Sequence, residues 1–138
     1  MADILFNETN CLINKSRVLI MEVFMNKGTL QRKLEAISFM DVNGRILRNL
    51  NTLKNNSCML KDFENLFYDA SKSLETKRHN FCCSLRYLNE GRYITLKNTV
   101  SGKATELDEE VFDDIEIKLA PKGIQVLCGV INDDCIDV

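Results

Sequence analysis

The sequence predicts an α+β fold, in which a helical N-terminal half packs on a C-terminal antiparallel β-sheet of three or four strands. Apolar residues recur at three- and four-residue steps up to about residue 78, and they alternate with a two-residue period from Phe81 onward. No Pro- or Ser-rich linker and no internal repeat divides the 138 residues. We therefore expect a single domain over 1–138, helical over about 16–78 and mainly β over about 81–131, with a short acidic C-terminal tail.

The helical half is expected to contain four helices, over about 16–26, 30–39, 44–55 and 59–78. The first is apolar almost all round, and Gly28 suits its C-terminal end. Thr29 can cap the second helix, and the sequence "DVNG" at 41–44 predicts a turn before the third. The fourth has the most regular helical period in the chain, with Ser57 as its expected cap.

The C-terminal half begins with a predicted hairpin over 81–99. "FCCSLRYL" alternates apolar and polar residues, "NEG" supplies a three-residue turn, and "RYITLKNTV" is rich in β-forming residues. The later stretch "IEIKLAPKGIQVL", residues 115–127, has two interpretations, because Pro121 can either form a tight turn between two strands or open a helix. Ala120 is a poor helix cap, which favours the hairpin.

The order of these elements resembles the winged-helix superfamily. Two helices precede a recognition-like helix at 44–55 and a basic hairpin, and "LAPKG" at 119–123 is similar to the L-T-P-K-G junction with which many winged-helix regulators close. Ala120 departs from that motif, and the 59–78 helix is an extra element. Counting 59–78 as the third helix gives a similarity to winged-helix subunits of SMC-type chromosome complexes. The resemblance implies a winged-helix-like variant of the fold and binding of DNA or protein.

The recognition-like helix would turn polar side chains away from its apolar face, and arginine, asparagine and threonine suit phosphates and base edges. An ordinary amphipathic helix with a solvated face is the alternative. The nucleic-acid-binding residues in this hypothesis, including the cations of the hairpin, are Arg45, Arg48, Asn49, Thr52, Arg86, Arg92 and Lys97.

Charge is distributed unevenly along the chain. Residues 1–105 contain 16 Lys and Arg against 10 Asp and Glu, whereas residues 106–138 contain 2 against 10, so a basic body precedes an acidic C-terminal third. Such a block is typical of a solvated loop or a partner surface. The expected partner-binding carboxylates are Glu106, Asp108, Glu109, Glu110, Asp113 and Asp114.

Sequence signatures of enzymes are missing. The chain has no P-loop, G-x-G-x-x-G, G-x-S-x-G or H-E-x-x-H motif. A dyad of His79 with Cys82 or Cys83 is one alternative, but a surface histidine beside cysteines that act as small apolar residues is favoured. The six cysteines match no zinc template, and the N-terminus lacks a secretion signal, so they are expected to be reduced in the cytoplasm or nucleus.

These observations predict a non-catalytic protein-interaction or adaptor domain that acts through a protein partner or self-association. A winged-helix nucleic-acid-binding regulator is the alternative. No catalytic residue, metal or cofactor is expected, and no small-molecule substrate is evident. No apolar run approaches the roughly 18 residues that a membrane span requires, so no membrane partner is expected.

Overall fold

The computed structural model describes residues 27–68, 70–107 and 111–138. Its elements are α1 (Lys27–Asn51), a short 3-10 helix (Lys54–Asn56), β1 (Ser57–Met59), α2 (Leu60–Phe67), α3 (Leu74–Glu90), β2 (Ile94–Asn98), β3 (Ile115–Leu119) and α4 (Pro121–Leu127). The predicted α+β class with an antiparallel sheet is confirmed, but the sheet is not confined to the C-terminal half, since β1 precedes α2 and α3. The predicted helix at 16–26 lies outside the described residues. Within the described ranges, no helix combines the length and the apolar character needed to cross a membrane.

The three strands form one antiparallel sheet with β3 in the centre. β3 pairs with β1 on one side and with β2 on the other, so Ile117 lies opposite both Cys58 and Leu96. Along β2, Ile94 and Leu96 are buried while Thr95 and Lys97 are exposed, which is the alternation expected when one face of a sheet covers the core. β1 has only three residues, and its pairing depends on distant β3, so no local pattern predicted it.

α1 is one continuous helix, so the turn predicted at 41–44 is wrong. Val42, Asn43 and Gly44 are all buried, because the C-terminal segment packs across the middle of the helix. The Asn43 side chain donates a hydrogen bond to the carbonyl of Cys135, and a Cβ on Gly44 would collide with the backbone of Asp137. Tertiary packing thus overrides the turn preference of these residues.

The long helix predicted over 59–78 is divided into α2 and α3. Between them lies a connection at 68–73, and α3 is capped by Ser73, whose hydroxyl accepts a hydrogen bond from the backbone N–H of Thr76 at 3.2 Å. α3 continues to Glu90, so the first strand of the predicted hairpin is also wrong. Phe81, Leu85 and Leu88 are buried at helical spacing, and this face packs into the core.

Pro121 opens a helix, so the favoured second hairpin is wrong and the alternative is correct. The proline occupies the first turn of α4, where backbone N–H groups make no hydrogen bond within the helix, so the lack of an N–H costs nothing. Gly123 is buried against the backbone carbonyl of Tyr93, and a Cβ there would collide with it. Close contact of α4 with the backbone of Tyr93, directly before β2, therefore explains the glycine.

The Asp133 side chain connects the C-terminal segment to Tyr87 on α3 and to Tyr93 directly before β2. Its carboxylate accepts hydrogen bonds from the hydroxyl of Tyr87, at 2.7–2.8 Å, from the hydroxyl of Tyr93, and from the backbone N–H of Cys135. Burial, followed by the hydrogen bond to Asp133, raises the pKa of both tyrosines well above the ordinary value.

Stability should therefore fall above about pH 10, the pKa of tyrosine in an unfolded chain. The folded protein retains the two phenolic protons there while the unfolded chain releases them, so rising pH favours unfolding by up to about 1.4 kcal/mol per pH unit for each tyrosine. We expect urea unfolding between pH 9 and 11.5 to show a shallower loss in a Tyr87→Phe/Tyr93→Phe variant. Parallel losses in the two proteins would contradict this assignment.

Candidate functional site

A cleft of about 440 Å³, lined mainly by polar side chains, lies between α1 and α3. We call it the helical cleft. Each helix contributes one face, since the lining residues fall at three- and four-residue steps. α1 supplies Gln31, Leu34, Glu35, Ser38 and Phe39, while the connection to α3 and α3 itself supply Lys72, Ser73, Thr76, Asn80 and Cys83.

The walls of the helical cleft differ in chemistry. Leu34 and Phe39 make an apolar wall, and 53% of Leu34 remains exposed because it faces the opening. Glu35 adds a carboxylate, and Lys72 lies across the opening with its ammonium group 3.4 Å from the hydroxyl of Ser38. This combination suits a small molecule with an apolar body and a few hydrogen-bonding groups.

A narrower cleft of about 90 Å³ continues from the helical cleft and shares Ser38, Lys72 and Asn80 with it. Its floor is aromatic, with Phe67, Tyr68 and Phe81, and its rim contains Asp41, Arg45 and Lys77. The Arg45 guanidinium lies 4.5 Å from the centre of the Phe67 ring. Cation–π contacts of this kind hold the rim cations against the floor.

A buried ion pair supports this floor. Glu64 is almost fully buried, and its carboxylate accepts hydrogen bonds from Arg78, at 3.2–3.3 Å, and from the hydroxyl of Tyr68. The Arg78 guanidinium also lies 4.1 Å from the centre of the Phe112 ring. Burial and the hydrogen bond to Glu64 raise the pKa of Tyr68, so this hydroxyl stays protonated at neutral pH. The network fixes α2 against α3 below the cleft.

His79 and Cys83 lie one turn apart on α3, with 3.7 Å between the imidazole Nε2 and the thiol Sγ. The sequence placed them at a junction between a helix and a strand, whereas a continuous helix brings them together. Cys82, the other cysteine of the hypothetical dyad, is buried in the core. The structure therefore distinguishes the two cysteines, and only Cys83 lines the helical cleft.

Three of the residues predicted to bind nucleic acid, Arg45, Arg48 and Lys97, contact distant parts of the chain. Arg45 donates a hydrogen bond to the carbonyl of Phe67, and Arg48 donates one to the carbonyl of Asp137. The Thr52 hydroxyl donates to the carbonyl of Asn49, one turn earlier. Lys97 pairs with Glu116 on the neighbouring strand at 3.5 Å.

Two residues of that set lie elsewhere. Arg86 is half-buried on α3, and Arg92 is exposed in the turn before β2, where its φ of 66° is left-handed. In the acidic segment, Glu106 and Asp114 are exposed and Asp113 forms an exposed ion pair with Lys61. Asp108, Glu109 and Glu110 lie outside the described residues. Partner binding by these carboxylates stays a prediction.

Metal binding was not expected from the sequence. In the part of the chain that the structure describes, no group of three or more His, Cys, Asp or Glu side chains is arranged to hold a metal ion.

Most of the chain matches a known protein family. The family model described as O-methyltransferase matches residues 7–129, which is most of the chain. The chain belongs to the O-methyltransferase family. No curated protein and no solved structure gives a significant match to it.

Family membership corrects several predictions made from the sequence. The winged-helix resemblance is wrong, because it rested on element order and on the five residues of "LAPKG", which are too short to be specific. The predicted non-catalytic adaptor and the alternative nucleic-acid regulator are wrong as well, since this family is one of enzymes. The expectation that no small-molecule substrate is evident is likewise wrong, because a methyltransferase family implies a small-molecule substrate and a cofactor.

The described residues do not fit a nucleoside-bearing methyl donor. In Rossmann-like folds such a group lies at the carboxyl ends of parallel strands, against a glycine-rich turn and a helix N-terminus. Here both strand pairs are antiparallel. At Gly123, near the β3–α4 junction, the backbone of Tyr93 occupies the space that a Cβ would take. At Gly91 the Tyr93 ring occupies the corresponding space. These glycines therefore serve internal packing, and they offer no cradle for a donor.

Sequence reasoning missed the residues of the helical cleft. Gln31, Glu35 and Ser38 fall on one helical face at steps of four and three, and so do Thr76, Asn80 and Cys83 at steps of four and three. Helical periodicity extended through residues 81–90 would have found the second set. The pairing of the two faces depends on tertiary contacts between α1 and α3, which no local pattern contains.

Proposed function

We propose that the helical cleft binds the hydroxyl-bearing acceptor of O-methyl transfer. Support comes from family membership together with one observation, the meeting of an apolar wall, hydrogen-bonding side chains and the Glu35 carboxylate in a single cleft. An acceptor for O-methylation needs the same three features: a surface for its body, groups that orient its hydroxyl, and a base that takes the hydroxyl proton.

The lining residues divide into these roles. Leu34 and Phe39 hold the apolar body of the acceptor, and the Asn80 amide orients its hydroxyl, since an amide both donates and accepts hydrogen bonds. Glu35 accepts the hydroxyl proton, and the Lys72 ammonium favours the oxyanion that remains. The described residues give the donor no place, so these roles cover acceptor binding and proton removal alone.

Two other clefts are less suited to this task. One of about 470 Å³ lies beside β2 and the start of α4, and none of its lining residues is a carboxylate, an imidazole or a thiol, so it offers no base. Another of about 480 Å³ has the apolar side chains of Met59 and Phe112 and three carboxylates, of which Asp113 pairs with Lys61. Its lining contains no amide or hydroxyl side chain, whereas the helical cleft adds Ser38 and Asn80 to an apolar wall and a carboxylate.

A pair of neutral probes tests the proposal for a phenolic hydroxyl: 4-hydroxybenzyl alcohol has a phenolic and a benzylic hydroxyl, and in 4-methoxybenzyl alcohol a methyl group caps the phenolic one alone. We expect the hydroxyl probe to bind the whole chain about tenfold more tightly, because a hydrogen bond to a charged group contributes about 1.5–3 kcal/mol. Glu35→Ala should remove this preference. Titrations followed by NMR chemical shifts measure both affinity and location.

A cleft-filling variant makes the location explicit. Thr76→Trp places an indole in the helical cleft and should abolish binding of both probes. Glu90→Trp is its matched control, because Glu90 is exposed on the same helix outside the cleft. Equal binding by the two variants, or no binding of the hydroxyl probe to wild type at millimolar concentration, would overturn the proposal.

A further inference from the structure

Cys83 has a base, the His79 imidazole, beside it at the surface of the helical cleft. The His79 imidazole Nε2 lies 3.7 Å from its Sγ, and both side chains are accessible, since His79 is exposed and Cys83 is half-buried. A thiol becomes a nucleophile when a neighbouring base takes its proton, and imidazole is the side chain best matched to that transfer at neutral pH.

We propose that Cys83 and His79 form a nucleophilic thiol site that reacts with disulfides, and that a group attached there closes the helical cleft. The second part rests on the proposed function, whereas the first does not. Neither the family nor the acceptor-binding roles assign a task to these two residues.

The reaction balances with a disulfide as co-reactant. His79 Nε2 takes the thiol proton, the Cys83 thiolate attacks one sulfur of the disulfide, and the bond between the two disulfide sulfurs breaks. One half of the reagent remains attached to Cys83 as a mixed disulfide, and the other half leaves as a thiolate that takes up a proton. No other oxidant is required.

Three of the other described cysteines, Cys82, Cys58 and Cys128, provide comparisons within the same chain. Cys82 is buried in the core, where a reagent has no access. Burial, with the carboxylates of Asp62 and Glu116 nearby, raises the pKa of the Cys58 thiol and so lowers its thiolate fraction. Cys128 is exposed at the end of α4, so it is the reference for a thiol that a reagent reaches freely. If exposure alone decided reactivity, Cys128 would react faster than half-buried Cys83.

The position of Cys83 in the wall of the helical cleft means that a group attached to its sulfur would affect acceptor binding. Cys83 lines the helical cleft together with Thr76 and Asn80 on the same face of α3. A glutathionyl group attached to its sulfur has to lie in or across the opening, since the opposite wall, with Leu34 and Phe39, faces it. Its volume would then exclude an acceptor.

The test uses oxidised glutathione as the probe and the full chain at pH 7, with each cysteine followed by peptide mass spectrometry. We expect Cys83 to be modified about tenfold faster than Cys128, because the adjacent imidazole is placed to take the thiol proton as the sulfur attacks. His79→Asn should reduce the Cys83 rate to that of Cys128 and leave Cys128 unchanged. A Cys83 rate no higher than that of Cys128, or one unchanged by His79→Asn, would overturn the thiol site.

A second arm separates cleft closure from the thiol chemistry. Chain modified at Cys83 should lose binding of 4-hydroxybenzyl alcohol, and reduction should restore it. Binding that survives the modification refutes closure while leaving the thiol site standing. If the unmodified chain fails to bind the probe, it is the acceptor proposal that fails, and the rates at Cys83 and Cys128 still decide the thiol site.

Discussion

Replacing Phe81 with alanine is expected to lower the free energy of unfolding by about 3–5 kcal/mol, the usual cost of truncating a buried phenylalanine. Phe81 is 1% exposed, and its ring centre lies 5.1–6.2 Å from those of Phe63, Phe67, Tyr68 and Phe112. Removing the ring leaves a cavity at the centre of this cluster, and filling it would require α2 and the segment before β3 to move inward.

The loss is large because domains of this size have a total stability of only about 5–15 kcal/mol. Urea unfolding of wild type and Phe81→Ala measures it. Leu66→Ala is the matched control, because Leu66 is 81% exposed on α2 and its truncation should change stability by less than about 0.5 kcal/mol. A Phe81→Ala loss below about 1 kcal/mol would show that the aromatic cluster is not the centre of the core.

Replacing Arg78 with methionine is expected to cost about 2–3 kcal/mol. The Glu64 side chain is only 9% exposed, so removing its cation leaves a carboxylate in a poorly solvated position. Breaking a fully buried pair costs about 3–5 kcal/mol, and the smaller figure allows for the 33% exposure of the Arg78 side chain. Methionine keeps the contact with Phe112 through its own side chain, which limits the change to charge.

A double-mutant cycle isolates this interaction. In the Glu64→Gln background the buried charge is absent, so Arg78→Met should cost much less than it does in wild type. Urea unfolding of the four proteins gives the coupling energy. Equal costs of Arg78→Met in both backgrounds would mean that the ion pair contributes nothing and that Arg78 acts through packing alone.

The fold class could be predicted from the sequence because it depends on local periodicity, but several element boundaries could not. "DVNG" contains residues that favour turns, yet α1 continues through them since Asn43 and Gly44 are buried by the C-terminal segment. "FCCSLRYL" fits a strand by alternation and a helix by the spacing of Phe81, Leu85 and Leu88. For a short apolar run, periodicity alone does not separate the two.

The candidate site could be predicted only in part, because its geometry also depends on tertiary contacts and on a helix that was predicted as a strand. The single histidine and its two nearby cysteines could be found in the sequence, but whether they meet depended on the helix over 81–90, which was predicted as a strand. Arg45 and Arg48 are residue types that nucleic-acid surfaces use. Their hydrogen bonds to the carbonyls of Phe67 and Asp137 could not be predicted from the local sequence. Donors that satisfy the protein's own backbone look the same in sequence as donors that await a ligand.

One titration tests most directly whether the helical cleft holds a hydroxyl-bearing acceptor. The affinity for 4-hydroxybenzyl alcohol is compared in wild type, Thr76→Trp and Glu90→Trp by NMR. We predict binding in wild type and in Glu90→Trp, with shifts concentrated at residues such as Ser38, Asn80 and Cys83, and no binding in Thr76→Trp. Binding that persists in Thr76→Trp, or shifts confined to other parts of the chain, would contradict the account.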